Sequence, residues 1–356
     1  MRTRTWWRLL AAGRFRVHPT RLPMAAIISL ITPVNDGCAG LQQAIYWKRI
    51  AHTKLVGPPI FILGHWRSGT TLLHELLIKD QRFGYPTTYQ CYAPHHFLIT
   101  EWGFRRFGGW LLPRKRPMDE MEVGWKNPQE DEFALLNLGV PSPYQRLAFP
   151  EIVSPLLEYL DWDGVSWQQQ EHWIRNLRGF LKAVTFASPK PLVLKSPTHT
   201  GRISLLASAF RGAKFVHITR DPRLLLSSTM RLWRLLEENQ SLRGAARSHD
   251  FNYEPYVLEC GRRMYNAFHK GRQDVDEASI IDIRYEDLVA NPVAQLEKIY
   301  ERLGLGEFDQ IRATHEAWAA AMHRNYRTNQ HQLSDEQVAR LRNAWSEYFE
   351  RYGYAN

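Results

Sequence analysis

Short apolar runs alternate with longer amphipathic stretches from about residue 59 onward. Four of these runs have the length and composition of buried strands, at residues 59–64, 191–195, 214–219 and 279–284. Each is followed by a segment with helical spacing, at residues 70–79, 202–210, 222–238 and 292–303. This alternation is typical of parallel strands joined by crossover helices. The pattern therefore predicts an α/β fold with a central parallel sheet.

Two further segments carry less regular patterns. Residues 84–190 contain scattered Pro, Gly, Trp and Tyr with no steady period, and we interpret them as loops and helices that cap the site. Residues 333–352 have helical spacing, with Ser334 at an N-cap position and Gln337 three residues later. They predict one C-terminal amphipathic helix with a structural role.

The first 56 residues form a basic segment. An apolar stretch at residues 24–31 is far short of the ~20 residues that span a bilayer. No clear cleavage site for a secretory signal follows it. Trp6, Trp7 and six arginines precede the first acid, Asp36; the arginines are Arg2, Arg4, Arg8, Arg14, Arg16 and Arg21. Two interpretations stay open: a segment in the membrane interface, or a helix packed on the protein's own surface.

Composition narrows the class of protein. At 356 residues and 44% hydrophobic, the chain can bury a large core, and we expect one domain over 57–356 after the basic segment 1–56. The net charge of +10 suits an anionic ligand, a nucleic acid or an anionic membrane surface. The cysteines (Cys38, Cys91, Cys260) lie far apart, so they support neither a disulfide framework nor a metal site. A reducing, cytoplasmic location is the expectation, at the inner face of the membrane if the basic segment binds lipid.

The segment Gly64–Thr71 carries the clearest chemistry. It has the frame of a phosphate-binding loop between a buried strand and a helix, where backbone N–H groups converge on an anion. The lysine of the nucleotide-triphosphate version is absent, since Thr70 stands in its place and the cation, Arg67, lies inside the loop. This departure argues against the magnesium-dependent binding of β- and γ-phosphates that ATPases and kinases use.

This loop resembles that of the sulfotransferases that use 3′-phosphoadenosine 5′-phosphosulfate (PAPS). A second segment, residues 214–223 followed by Ser227 and Ser228, and a third, Tyr285–Val289, are also similar to family motifs and occur in family order. The resemblance covers roughly residues 59–305. It implies a three-layer α/β sandwich similar to P-loop NTPases, and transfer of a sulfuryl group to an acceptor hydroxyl.

The resemblance also implies roles for individual residues in binding PAPS. The 5′-phosphosulfate would be held by the loop residues Arg67, Ser68, Gly69, Thr70 and Thr71. Arg220 and Ser228 would hold the 3′-phosphate, Tyr285 would contact the adenine, and Arg327 would close over the nucleotide. An arginine suits this task because its guanidinium offers a bidentate fork to phosphate.

Catalysis requires positive charge at the transferring group and a proton acceptor for the attacking hydroxyl. The resemblance places Lys195, with Arg67, against the transferring group. For the general base we favour His95 narrowly over His199. The acidic run at 130–132 is an alternative base, although acids before an apolar run are more typical of a helix N-terminus. Glu75 is expected to act only through other groups.

Two other functions stay open at this point. A magnesium-dependent small-molecule kinase with Arg67 replacing the loop lysine is the alternative enzyme, and a nonenzymatic nucleic-acid or membrane-surface binding protein is the alternative class. No nucleic-acid-binding module is recognisable, so nucleic acid is not expected as a partner. The acceptor hydroxyl belongs to a carbohydrate, a glycolipid or a lipid, and no metal is expected.

Overall fold

The computed structural model describes residues 1–107, 124–244, 251–325 and 333–354. The chain divides into two compact units. The sheet unit comprises Gly57–Gly84, Pro191–Arg231 and Tyr253–Asn356, and the helical unit comprises Met1–Val56, Tyr85–Lys190 and Leu232–Asn252.

The strands agree with the predicted ones, with ends that differ by two residues or fewer. They are β1 (Ile60–Leu63), β2 (Val193–Lys195), β3 (Lys214–Thr219) and β4 (Ile280–Arg284). The α-helices are α1 (Thr3–Ala12), α2 (Leu22–His52), α3 (Thr70–Leu77), α4 (Thr88–Tyr92), α5 (Phe97–Phe107), α6 (Asp131–Leu138), α7 (Glu158–Asp161), α8 (Trp167–Ala187), α9 (Ile203–Ala209), α10 (Pro222–Gln240), α11 (Glu254–Arg272), α12 (Tyr285–Ala290), α13 (Pro292–Leu303), α14 (Asp309–Asn325), α15 (Asp335–Ala344) and α16 (Ser346–Arg351). Short 3₁₀ turns lie at Pro19–Arg21, Pro143–Ala148, Pro197–Arg202 and Glu277–Ser279.

The four strands form one parallel sheet in the order β2-β1-β3-β4. Ile60 pairs with Val193 on one side and with Lys214 on the other, so β1 is central. β1 and β3 are neighbours at the point where the strand order reverses. Open α/β sheets bind ligands outside the carboxyl ends of the strands at such a point. The loops after β1 and β3 therefore meet at the place where the fold favours a ligand.

Helices cover both faces of this sheet, which confirms the predicted three-layer arrangement. On one face Ile60, Val216 and Ile283 join a buried cluster with side chains of α3 and α13. On the other face Phe61 stacks on Phe215 with ring centroids 5.8 Å apart. Successive side chains of a strand point to opposite faces. The side chains of β1 and β2, and those of β3 from Phe215 on, are buried on both faces, which explains their continuous apolar runs.

The helical unit includes most of the segment predicted to be loops and helices, within the part of the chain that the structure describes. One of its apolar clusters joins the N-terminal segment to the segment 84–190. The buried members of this cluster are Trp6, Leu10, Ala25, Phe149 and Leu242. A buried ion pair between Arg146 and Glu237, at 2.8 Å, is also internal to this unit.

The C-terminal segment corrects one prediction. The N-cap at Ser334 and its reciprocal bonds with Gln337 are confirmed. The single helix predicted over 333–352 is instead two, because the backbone leaves helical geometry at Trp345 (φ −125°, ψ 32°). The indole of Trp345 packs edge-on against His65, with ring centroids 5.1 Å apart. The break therefore turns a large aromatic side chain onto the loop after β1.

The apolar stretch at 24–31 is likewise part of a much longer element, the 31-residue helix α2. Pro33 lies inside this helix and has no N–H to donate to the carbonyl of Ser29. The Thr32 hydroxyl donates to that carbonyl instead, at 3.4 Å. A local side-chain hydrogen bond thus lets the helix continue through a residue that normally breaks it.

Candidate functional site

The loop after β1 depends on two glycines. Gly64 has φ +151° and Gly69 has φ +103°. A Cβ on Gly64 would lie 2.7 Å from the Ile218 carbonyl oxygen, and one on Gly69 would lie 2.4 Å from the ring of Tyr285. Any larger residue would push the loop off the sheet. The glycines therefore let the backbone approach closely at the point where α3 begins.

The backbone conformation of the loop suits an anion. Arg67 has φ +68°, a conformation that costs energy in a residue with a Cβ and that is frequent at functional sites. Gly69 is the N-cap of α3, whose first-turn N–H groups have no partner within the helix. The Ser68 hydroxyl is buried and makes no hydrogen bond within the part of the chain that the structure describes. These donors and the helix dipole match a phosphate or sulfate group.

Three of the predicted ligands, from separate stretches of sequence, meet at this loop. Arg67 donates from Nε to the Ser228 hydroxyl at 3.0 Å. Arg220 donates from Nη1 to the carbonyl oxygen of Arg67 at 2.9 Å. Thr229 donates to the carbonyl oxygen of Trp66 at 3.2 Å. The start of α10 and the end of β3 are thereby tied to the loop.

Arg220 is supported from two sides. Its guanidinium lies over the ring of Tyr285, 4.1 Å from the ring centroid. The Tyr348 hydroxyl accepts from the Arg220 N–H and donates to the Arg220 carbonyl, both at 3.0 Å. Burial raises the pKa of Tyr348 well above its ordinary value, so the hydroxyl keeps its proton. Sequence reasoning missed Tyr348, because nothing marks it among the aromatic residues of the C-terminal segment.

The ring of Tyr285, the predicted adenine contact, is 6% exposed and packs within the apolar cluster under the sheet. Its described contacts are with the protein: Gly69 approaches its edge and Arg220 lies over its face. The geometry gives Tyr285 a role in supporting the loop, and a contact with adenine stays a prediction.

Lys195 ends β2 and is paired in register with Ile62, one residue before the last of β1. Its side chain is buried. The 3₁₀ turn that follows holds the start of the loop after β1, since Thr200 accepts from the Gly64 N–H at 2.8 Å and donates to the Gly64 carbonyl at 3.1 Å. Lys195 is therefore placed at the carboxyl edge of the sheet beside the loop. Thr200 was not predicted.

The two histidines considered as general bases occupy different surroundings. His199 is fully buried in the sheet unit, and its ring meets Phe61 edge-on at 5.7 Å. His95 belongs to the helical unit, is partly exposed, and lies 3.3 Å through Nε2 from the Asn137 carbonyl. Burial, and then positive charge nearby, lower the pKa of His95 to about 4, so it is neutral at pH 7.

The neighbours of these candidates have structural partners. His96 lies 2.9 Å from the Thr100 hydroxyl, and burial lowers its pKa to about 4. The acidic run begins α6, as its helix-terminus interpretation predicted. Glu130 accepts from Tyr144 and Glu132 from Ser142, both at 2.7 Å. Arg327 lies outside the described residues.

His65, inside the loop, was also missed. It is fully buried between the rings of Trp66 and Trp345, and its Nδ1 lies 2.9 Å from the Trp66 carbonyl. Burial lowers its pKa to about 4. It is therefore a neutral part of the scaffold beneath the loop.

Comparison with known proteins agrees with this geometry. Residues 58–310 match a family model described as the sulfotransferase family. The chain is 41% identical to omega-hydroxy-beta-dihydromenaquinone-9 sulfotransferase Stf3 of Mycobacterium bovis and of Mycobacterium tuberculosis, over 98% of this chain and 89% of each relative.

Solved structures show the same fold at low identity. The sulfotransferase STF9 of Mycobacterium avium aligns with a TM-score of 0.68 and 18% identity, covering 91% of this chain and 85% of that one. The sulfotransferase STF1 of Mycobacterium tuberculosis aligns with a TM-score of 0.61 and 18% identity, covering 88% and 86%.

Proposed function

Because this chain belongs to the sulfotransferase family, we propose that it transfers the sulfuryl group of PAPS to a hydroxyl of a lipid acceptor of the menaquinone type. The observation that carries the donor assignment is the meeting of Arg67, Arg220 and Ser228 around a phosphate-binding loop. Two guanidinium groups and a hydroxyl suit an anion of high charge, and PAPS carries a 3′-phosphate and a 5′-phosphosulfate.

In this proposal Arg220 and Ser228 bind the 3′-phosphate. The loop residues from Ser68 to Thr71 bind the 5′-phosphosulfate with backbone N–H groups and the Ser68 hydroxyl. Arg67 lies between them, since its carbonyl receives Arg220 and its guanidinium contacts Ser228. Its charge therefore serves both anionic ends of the donor, which supports a single site for the whole nucleotide.

The reaction is an in-line displacement. The acceptor oxygen forms a bond to sulfur while the bond from sulfur to the bridging phosphate oxygen breaks, and adenosine 3′,5′-bisphosphate leaves. Lys195 and Arg67 stabilise the charge that develops on the bridging oxygen. This preorganised charge provides most of the catalysis, by analogy with phosphoryl transfer.

The curated relatives support a lipid as the proposed acceptor. Among the carbohydrate, glycolipid and lipid acceptors considered from the sequence, a lipid agrees with the hydroxylated menaquinone in their name, and the similarity covers 98% of this chain. A hydroxyl at the omega end of such a molecule is the acceptor that we propose to test first.

For the general base we propose His95, which is partly exposed, whereas His199 is fully buried against Phe61. Replacing His95 with Ala should lower kcat by ~10² or more, the range expected for a general base, with little change in KM for PAPS. The exposed His172, changed to Ala, is the matched control. An unchanged kcat in His95→Ala would show that another group accepts the proton.

The donor assignment is tested by calorimetric titration with adenosine 3′,5′-bisphosphate, with ATP and adenosine 5′-monophosphate as comparisons, each with and without magnesium. We expect preferential, magnesium-independent binding of the bisphosphate. Arg220→Ala should raise its Kd about 10- to 150-fold, the loss of about 1.5–3 kcal/mol typical of a hydrogen bond to a charged group. The exposed Arg211, changed to Ala, should leave Kd unchanged.

Turnover with PAPS and an omega-hydroxylated menaquinol then tests the acceptor, with a sugar and a sterol as comparisons. Magnesium-dependent binding of ATP in preference to the bisphosphate would instead indicate the kinase alternative. Sulfation of the sugar alone would contradict the lipid assignment while leaving the donor assignment intact.

A further inference from the structure

The helix α2 exposes an unusually apolar surface. The segment Pro19–His52 is long and apolar enough to cross a membrane by length and composition, and 17% of its most apolar window is buried inside the protein. A core helix of a soluble protein would be mostly buried. The apolar character of α2 therefore needs an explanation other than packing within this chain.

One side of α2 is attached to its own unit along its length. The buried positions are Ala25, Thr32, Ala39 and Gln42. Trp6 donates from its indole to the Ser29 hydroxyl at 2.8 Å, and the Gln42 amide oxygen accepts from the Leu98 N–H at 2.8 Å. These bonds fix which side of the helix faces outward.

The opposite side carries an apolar stripe. Its members are Ile27, Leu30, Val34, Leu41 and Ile45, which are 57%, 76%, 63%, 55% and 51% exposed. Their separations of three, four, seven and four residues place them on one face of a helix. At 1.5 Å per residue the stripe is about 27 Å long. Scattered exposed apolar residues are ordinary, but a continuous stripe marks an interaction surface.

The element beside this helix is basic and aromatic. On α1, Trp6 and Leu10 face inward, whereas Arg4, Trp7 and Arg8 are exposed. The turn after α1 exposes Arg14, Phe15 and Arg16, and no acidic residue occurs before Asp36. Because α1 packs through Trp6 on the side of α2 opposite the stripe, the charges next to the stripe are those of α2 itself.

We propose that the stripe of α2 is a docking surface for an anionic lipid bilayer, with α2 lying along the interface rather than across it. A spanning helix would have to give up the contacts of Ser29 and Gln42 and carry Asp36 into the hydrocarbon, where a charge is costly. The exposed Lys48 follows Ile45 by three residues on the same face, whereas the acid of α2, Asp36, lies on the side that contacts α1. An anionic membrane surface therefore matches both the apolar stripe and the charge beside it.

This inference rests on the exposed surface and is independent of the proposed sulfotransfer. The test is co-sedimentation of the full chain with vesicles of phosphatidylcholine alone and of phosphatidylcholine mixed with phosphatidylglycerol. We expect binding to the mixed vesicles, weaker binding to the neutral ones, and weaker binding at 1 M salt, where the Debye length falls to about 3 Å.

The stripe is tested by the double variant Leu30→Asp, Val34→Asp. Its matched control is Gln168→Asp, His172→Asp, which places the same charges four residues apart on the exposed side of α8 in the same unit. We expect the stripe variant to lose at least about tenfold in vesicle partitioning. The α8 control should partition like the parent protein, and both should keep the parent Tm because the changed side chains are exposed.

The charge is tested by Lys48→Ser, which should reduce binding to anionic vesicles about fivefold and leave binding to neutral vesicles unchanged. Three results would overturn the proposal. The stripe variant could bind vesicles like the parent. The bound protein could resist both 1 M salt and an alkaline wash, as a spanning helix does. Sedimentation without lipid could show a dimer that the stripe variant dissociates, with no effect on vesicle binding. Titration with adenosine 3′,5′-bisphosphate shows whether the same variants still bind the nucleotide. A loss of vesicle binding can therefore be distinguished from a failure of the proposed function.

Discussion

The strand β1 and the helix α2 are both apolar, yet their side chains have opposite fates. Every residue of β1 is buried, and the cluster around Ile60 and Ile62 includes side chains from the three other strands and several helices. On α2 the largest apolar side chains along one stripe are more than half exposed, with Leu30 at 76%. The same residue types thus serve packing in one region and remain available for contact in the other.

An apolar sequence pattern therefore does not show by itself whether its side chains are buried in the protein's own core. In the sheet unit the protein's own core accounts for the apolar residues, and the proposed function depends on the few polar groups at the strand ends. In the helical unit the apolar residues of the stripe have no such internal explanation. They are the observation that points to a partner outside the chain.

A pair of identical substitutions tests the comparison most directly. Leu73→Ala, in the buried cluster beneath β1, should lower the free energy of unfolding by about 2–5 kcal/mol, because it removes transfer free energy and leaves a cavity. Leu30→Ala, on the stripe, should change it by no more than about 0.5 kcal/mol. Denaturant unfolding measures both. A large loss for Leu30→Ala would mean that the stripe is part of the core, and would remove the basis for the docking surface.

A smaller effect is expected at the hydroxyl that supports Arg220. Tyr348→Phe leaves the Arg220 N–H and carbonyl without their partner, which should cost about 1–3 kcal/mol of unfolding free energy. It should also weaken binding of adenosine 3′,5′-bisphosphate several-fold, since Arg220 is then less firmly positioned. A purely structural role would lower the Tm and leave Kd unchanged.

The control for this prediction is Tyr352→Phe. It removes a hydroxyl from the same C-terminal segment, but that hydroxyl contacts His269 at 3.1 Å and not Arg220. We expect Tyr352→Phe to leave the Kd for the bisphosphate unchanged. Equal effects of the two variants on Kd would show that Tyr348 acts through general stability rather than through Arg220.

The strands, the helices that follow them and the phosphate-loop frame were predictable, because their signals are local. Continuous apolar runs, Pro222 at a helix start and Ser334 at a capping box each depend on neighbours in sequence. Two predicted extents failed for different reasons. The single C-terminal helix breaks at Trp345, whose ring contacts the distant His65. The helix α2 continues through Pro33, where the Thr32 hydroxyl bonds the nearby Ser29 carbonyl.

The sequence by itself determined the fold class, the family and the candidate residues for a donor site, because apolar periodicity and short motifs specify local structure. Only the tertiary structure decided which of these residues meet. It joined Arg67 to Ser228 and Arg220 to Tyr348, and it left one side of α2 exposed. Contacts between distant residues depend on how the whole chain packs, and a sequence pattern records that packing only indirectly.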